Sequence, residues 1–348
     1  MTRRTAFAPG RANLIGEHTD YNGGLALPFA IEEGVAVTAT PIDGDDIVAR
    51  ALDLGEEDRF AAAAPPRAEG WRAFVRGVAA ELGGVGPADL EVSSTVPSGA
   101  GLSSSAALTV ALALALGGVA PRRQPPTVPE TLALAKLCSR VENEWVGVRT
   151  GLLDQLASLF GEAGHALLVD FRTLSVDPVP LELGRHRLVV LDSGESHDLA
   201  ASGYNERRAE CEQAAERLGL ETLSDATLDR GARLPAPLDR RARHVITENS
   251  RVTKTVNALR HGHLDAIGPL LDASHASLRD DYDASTDAVE ATVERLKAAG
   301  ALGARMMGGG FGGAVLALFP PDATPPAGAR DVRPSAGAKL KGGVASHA

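Results

Sequence analysis

The sequence predicts a mixed α+β protein of two domains, and three observations carry that reading. At 348 residues, 44% hydrophobic and 23% charged, the chain can bury two cores and has an ordinary globular composition. Stretches that alternate apolar and polar residues, as strands do, recur between stretches with helical spacing. Residues 106–116 are an almost unbroken run of Ala, Leu and Val, the composition of a buried helix.

Taken in order, residues 25–40 read as strand, most clearly from Val35 to Thr40. The Ala/Pro-rich residues 61–70 read as a surface loop, and Trp71, Phe74, Val75, Val78 and Leu82 space a helix over 71–82. Residues 90–96 form a strand that runs into the glycine- and serine-rich loop before the apolar helix. A proline-rich connection at 121–129 leads to a helix over 132–147, with Glu142 near its end. Residues 150–161 are apolar and helical apart from Asp154, and a carboxylate there must be partnered or held for chemistry. Strands follow at 166–171 and 187–192, and the domain boundary is placed near Leu183, giving domains 1–182 and 183–348. Helices fit 204–218, 242–259, 264–278 and 284–299. Residues 304–318 run from a strand through a glycine turn into another element, and a Pro/Ala/Gly-rich tail begins at Pro320.

Two segments hold most of the special residues. Val96-Pro97-Ser98-Gly99-Ala100-Gly101-Leu102-Ser103-Ser104-Ser105 joins a strand to a helix start. Backbone N–H groups of such a loop, with the positive helix end, make an anion cradle. It lacks the lysine of the GxxxxGK[ST] phosphate loop, though its serine hydroxyls suit Mg²⁺ bridging phosphates. The same residues would also serve as a glycine-softened turn with serine caps. The second segment, residues 9–24, reads as one loop-like stretch with Arg11, Glu17, His18, Asp20 and four glycines. Its carboxylates can accept hydrogen bonds from a polyol, or the stretch is an exposed turn.

A formal charge of −10 argues against a general nucleic-acid binder. Cys138 and Cys211 make neither a disulfide framework nor a metal set, and read as buried reduced thiols of a cytoplasmic protein. The N-terminal residues lack the apolar core of a signal peptide, and no apolar run is long enough for a membrane segment.

Residues 10–21, 97–107 and 308–313 resemble the three motifs of the GHMP small-molecule kinases. The first, Gly-Arg-Ala-Asn-Leu-Ile-Gly-Glu-His-Thr-Asp-Tyr, resembles the galactokinase signature, and residues 204–212 and 274–282 resemble further galactokinase segments. The resemblance implies an N-terminal domain like ribosomal protein S5 domain 2, a ferredoxin-like C-terminal domain, and an active site in the cleft between them. It further implies ATP-dependent phosphorylation of D-galactose to galactose 1-phosphate. In that scheme Arg11 and Asp154 are catalytic, and Glu17, His18, Thr19, Asp20, Asp154 and Tyr204 bind the sugar. Gly99, Ala100, Gly101, Leu102, Ser103, Ser104 and Ser105 bind ATP, and Ser105 with Glu142 holds Mg²⁺. D-galactose and MgATP are then the partners of a monomer that needs no partner protein. The alternatives are a kinase for N-acetylgalactosamine, galacturonate or arabinose, or a non-catalytic sugar and ATP sensor. The intact serines of the loop, with Arg11 and Asp154, speak against the sensor. Val148-Arg149-Thr150-Gly151 departs from relatives, which often carry proline and cysteine before that glycine.

Overall fold

The computed structural model describes residues 2–97, 101–118, 128–195 and 200–341. Gly99 and Ala100 of the expected phosphate loop, and most of the proline-rich connection, lie outside the described residues. The N-terminal part rests on β1 (Arg4–Asn13), so residues 9–13 are strand and not part of the loop expected over 9–24. β2 (Leu25–Ala26) precedes β3 (Pro28–Pro41), antiparallel to β1 with Ala6 opposite Val37. A hairpin of β4 (Asp46–Ala51) and β5 (Glu56–Ala61) then packs β4 parallel to β6 (Ala88–Ser94). The hairpin escapes a sequence reading because β5, Glu-Glu-Asp-Arg-Phe-Ala, is an edge strand that buries only Asp58 and Phe60.

Helices cover one face of this sheet. α1 (Trp71–Leu82), α3 (Val128–Arg140) and α4 (Leu153–Phe160) surround α2 (Ser104–Gly117), which crosses β1 and β3. α2 has no polar face because every side of it meets protein, so Val110, Leu112 and Leu114 are fully buried. The helix expected over 132–147 is instead α3 followed by a wide π turn, Val141–Val146, that carries Glu142 and ends at Gly147 with φ of 91°. β7 (His165–Asp170) and β8 (Ser175–Pro180) make a small sheet with β2.

The C-terminal part is a second sheet with helices. β9 (Arg187–Asp192) leads to α5 (Ala200–Leu218), α6 (Leu228–Gly231), α7 (Leu238–Arg260), α8 (Ile267–Asp280) and α9 (Asp287–Ala298). The start of α9 is set by Thr286, whose hydroxyl accepts from the Val289 N–H. β10 (Gly303–Met307) and β11 (Ala314–Phe319) form a hairpin across the glycine turn, and β12 (Arg330–Asp331) completes the order β10-β11-β9-β12, antiparallel throughout. β9 and β10 thus flank β11, the split arrangement of a ferredoxin-like sheet. Both faces are covered. Leu188 and Val190 of β9, with Leu316 and Leu318 of β11, join the core shared with the first sheet. Val189, Leu191, Val315 and Phe319 join the core under α5, α7 and α9. The tail contributes β13 (Lys339–Lys341), which returns to β1 at the first sheet's edge, giving β13-β1-β3-β6-β4-β5.

Among the described residues no helix is long and apolar enough to cross a membrane. Leu112→Ala in α2 is expected to lower unfolding free energy by about 2–5 kcal/mol. Leu54→Ala, 57% exposed on the β4–β5 turn, should change it by no more than about 0.5 kcal/mol. Denaturant midpoints at unchanged slope check both.

Candidate active site

A cavity of about 370 Å³ opens where the two sheets meet the N-terminus of α2. β1 delivers Arg11, the turn after it Glu17, His18 and Asp20, α4 Asp154 and α5 Tyr204. Residues 101–105 line another side, and Met307, Gly308 and Gly309 from the β10–β11 turn a third.

Arg11 and Asp154, 143 residues apart in sequence, are bonded through Nε and Oδ1 at 2.8 Å. Arg11 Nη1 also donates to the Gly101 carbonyl at 2.7 Å. The second carboxylate oxygen of Asp154 accepts from the Ser103 hydroxyl at 2.5 Å. Gly10 makes this approach possible. The strand register shifts there, and a Cβ would collide with the Leu102 carbonyl, which accepts from the Arg11 N–H at 3.1 Å. Ser103 stands at the start of α2 with φ of 58°, so its side chain turns to Asp154 instead of capping the helix.

On the opposite side Glu17 Oε1 accepts from the Gly308 N–H at 2.9 Å and faces Arg305 Nη2 at 3.3 Å. His18 has φ of 59°, and its ring lies near Tyr204 and Tyr282, with centroids 5.3 and 4.6 Å away. Burial pushes its imidazole down to about 3, so the ring is neutral. Asp20 is pushed up to about 6 by burial, with the charges of Asp154 and Glu17 adding to the effect. Thr19 does not reach the cavity. Its hydroxyl is spent on the Gly16 and Leu25 carbonyls, at 2.9 and 2.8 Å.

Glu142 sits behind Ser105 and Thr150. Its Oε2 accepts from Thr150 Oγ1 at 2.8 Å and Gln155 Nε2 at 2.9 Å, while Oε1 is buried without a partner. Burial, then the charge of Asp154, pushes its carboxyl up to about 7, against the hydrogen bonds on Oε2 and the nearby Ser105 hydroxyl.

Several residues with a part in this arrangement escaped the sequence reading. Arg305, fully buried, binds the Asn13 carbonyl at 2.9 Å as well as facing Glu17. Glu248 accepts from the Gly16 N–H at 2.9 Å and from Ser274 at 2.7 Å. Burial opposes its charge, but Arg251, His244, Arg305 and the Ser274 hydrogen bond together outweigh that and bring it down to about 2. His244 donates to the Glu17 carbonyl at 3.1 Å. The available signal was a charged residue at an apolar position: Glu248 on the buried face of α7, Arg305 in the apolar run of β10.

The galactokinase galactose-binding signature matches residues 2–41. The GHMP kinase N-terminal and C-terminal domains match residues 71–162 and 255–339. A galactokinase of Thermotoga petrophila is 42% identical over 317 residues, covering 89% of this chain and 88% of the relative. One from Mycobacterium bovis is 45% identical over 327 residues, covering 90% and 88%. The crystal structure of Lactococcus lactis galactokinase complexed with galactose superposes with a TM-score of 0.87 at 31% identity, over 97% of this chain and 95% of the other. Methanococcus jannaschii mevalonate kinase shares the fold, with a TM-score of 0.63 at 16% identity over 95% and 98%. The chain belongs to the galactokinase family of the GHMP kinases.

Proposed function

We propose that the chain transfers the γ-phosphoryl group of ATP to the anomeric hydroxyl of D-galactose. The observation that carries the reading is the Arg11–Asp154 pair, set between a hydroxyl-binding wall and the open N-terminus of a buried helix. Glu17, His18, Asp20 and Tyr204 supply acceptors, donors and a ring face for a sugar. The first turn of α2 and its serines offer N–H and O–H groups to phosphate oxygens.

Phosphoryl transfer asks a protein mostly for positioning and charge stabilisation. The sugar oxygen forms a bond to the γ-phosphorus, the bond from that phosphorus to the β-bridging oxygen breaks, and ADP leaves. The hydroxyl proton passes to Asp154, which Ser103 and Arg11 hold in place. Arg11 also offsets charge gathering on the transferring group.

Ser105 and Glu142 suit a magnesium ion. Glu142 Oε1 is a buried oxygen without a partner, and Ser105 lies beside it. Among the described residues no three His, Cys, Asp or Glu side chains are grouped so that they could hold a metal ion by themselves. Mg²⁺ commonly takes one or two protein ligands and completes its shell with phosphates and water. When bound, it neutralises phosphate charge. Two buried free cysteines fit the reducing cytoplasm.

ADP release with MgATP across a sugar panel is expected to be greatest with D-galactose. No galactose-dependent release would remove the reading, and a greater rate with a related sugar would reassign the substrate. Asp154→Asn should lower kcat by about 10²- to 10⁴-fold while galactose binding stays measurable by calorimetry. Because Mg²⁺ binds the ionised carboxylate and burial pushes Glu142 up to about 7, affinity should tighten as pH rises. Roughly tenfold more Mg²⁺ is expected for half-maximal rate at pH 6 than at pH 8. Glu142→Gln should need more Mg²⁺ at both pH values and show little difference between them.

A further inference from the structure

The β10–β11 turn, Gly308-Gly309-Gly310-Phe311-Gly312-Gly313, has one side chain with which to hold itself, the Phe311 ring. Phe311 holds φ of 59°, a left-handed backbone that glycine adopts freely and a bulky residue adopts only at a cost. Its N–H donates to the Ala284 carbonyl at 2.7 Å, which ties the turn to the link between α8 and α9. The half-buried ring meets α5. A Cβ on Gly203 would stand 2.6, 2.7 and 2.8 Å from three outer carbons of that ring, closer than carbon atoms pack. The ring therefore fills the space left by the missing side chain. Arg207, one turn further along α5, sets its guanidinium carbon 5.9 Å from the ring centroid.

The fit is reciprocal. Tyr204, the residue after Gly203, lies against Gly309, where a Cβ would come within 3.0 Å of Tyr204 Cδ2. Each element thus offers a ring to a glycine of the other. Tyr204 and Gly309 both line the cavity, and the neighbouring Gly308 N–H binds Glu17 at 2.9 Å. Arg11, Asp154 and Ser103 are bound among themselves and to Gly101, so their placement does not run through Phe311. The joint bears on one wall of the cavity.

We infer that Phe311 and Gly203 are positioning residues. The ring seated on Gly203 sets where Tyr204 stands in the cavity, and through Tyr204 the affinity for the ligand that meets this wall. The ligand's being a sugar rests on the proposed function; the placement of Tyr204 does not.

The test uses the full chain labelled with 3-fluorotyrosine. Tyr21, Tyr204 and Tyr282 are its three tyrosines, so the ¹⁹F spectrum has three signals, and that of Tyr204 is the one lost in Tyr204→Phe. Phe311→Leu removes the outer ring carbons that meet Gly203 and keeps an apolar side chain. Gly203→Ala removes no contact, and in most helices it would stabilise. Each is expected to move the Tyr204 signal and to raise KM for galactose about five- to thirtyfold, with kcat and KM for ATP unchanged. In the double variant the alanine finds room, so both readouts stay where Phe311→Leu put them. An unmoved Tyr204 signal in either single variant, or effects that add in the double variant, overturns the inference. So does an equal rise in KM for galactose and for ATP, the mark of general loosening. If Gly203→Ala fails to fold, recovery in the double variant is the expected coupling, and failure there too overturns it. A moved signal with unchanged KM for galactose overturns the step from Tyr204 to the ligand. Absence of galactose-dependent ADP release in wild type would instead strike the functional reading and leave the ¹⁹F result standing.

Discussion

The bond between Arg11 and Asp154 is the constraint the rest of the site is built around. It joins β1 of the first sheet to α4, whose Asp154 lies 143 positions later. A guanidinium that is 5% exposed needs partners for its charge, and it has two: Asp154 and the Gly101 carbonyl. The same cation therefore fixes a carboxylate and the edge of the loop before α2 together. Removing either partner would leave a largely buried charge uncompensated, which is why the strand, the loop and α4 cannot move independently.

The cavity is rich in negative charge. Glu17, Asp20 and Asp154 line it and Glu142 stands just behind, so their mutual repulsion adds to burial in holding Asp20 and Glu142 closer to neutrality than free carboxylates. Arg11 and the buried Arg305 offset part of this charge. Against a net charge of −10, the helix N-terminus, the serines and Arg11 supply donors and positive potential to the cavity at short range. A divalent cation beside Glu142 would offset the Asp154 charge that adds to burial in raising its pKa.

The second sheet enters the site by holding the first motif from behind. The Gly308 N–H and Arg305 grip Glu17, Glu248 grips the Gly16 N–H, and His244 takes the Glu17 carbonyl. Tyr282 and Tyr204 pack against His18. The turn that faces the cavity is thus clamped between two halves of the molecule, and the left-handed backbone at His18 persists because its surroundings leave it no alternative.

What the sequence by itself determined is what local chemistry dictates. The apolar run of α2 admits only a buried helix, the consecutive apolar residues of β9 and β11 require a sheet covered on both faces, and the density of Arg, Glu, His and Asp in residues 11–20 marks a site. Arg11, Glu17, His18, Asp20, Asp154 and Tyr204 were all legible as candidates and stand at one cavity, whereas Thr19 faces backbone carbonyls. Only the tertiary structure decided that β13 returns to β1, that Glu142 sits in a π turn, and that Ser103 turns to Asp154. The supporting roles of Arg305, Glu248 and Tyr282 belong there too. Each depends on a partner more than fifty residues away or on a backbone detour that no side-chain period encodes, so its energy exists only once distant segments have been brought together.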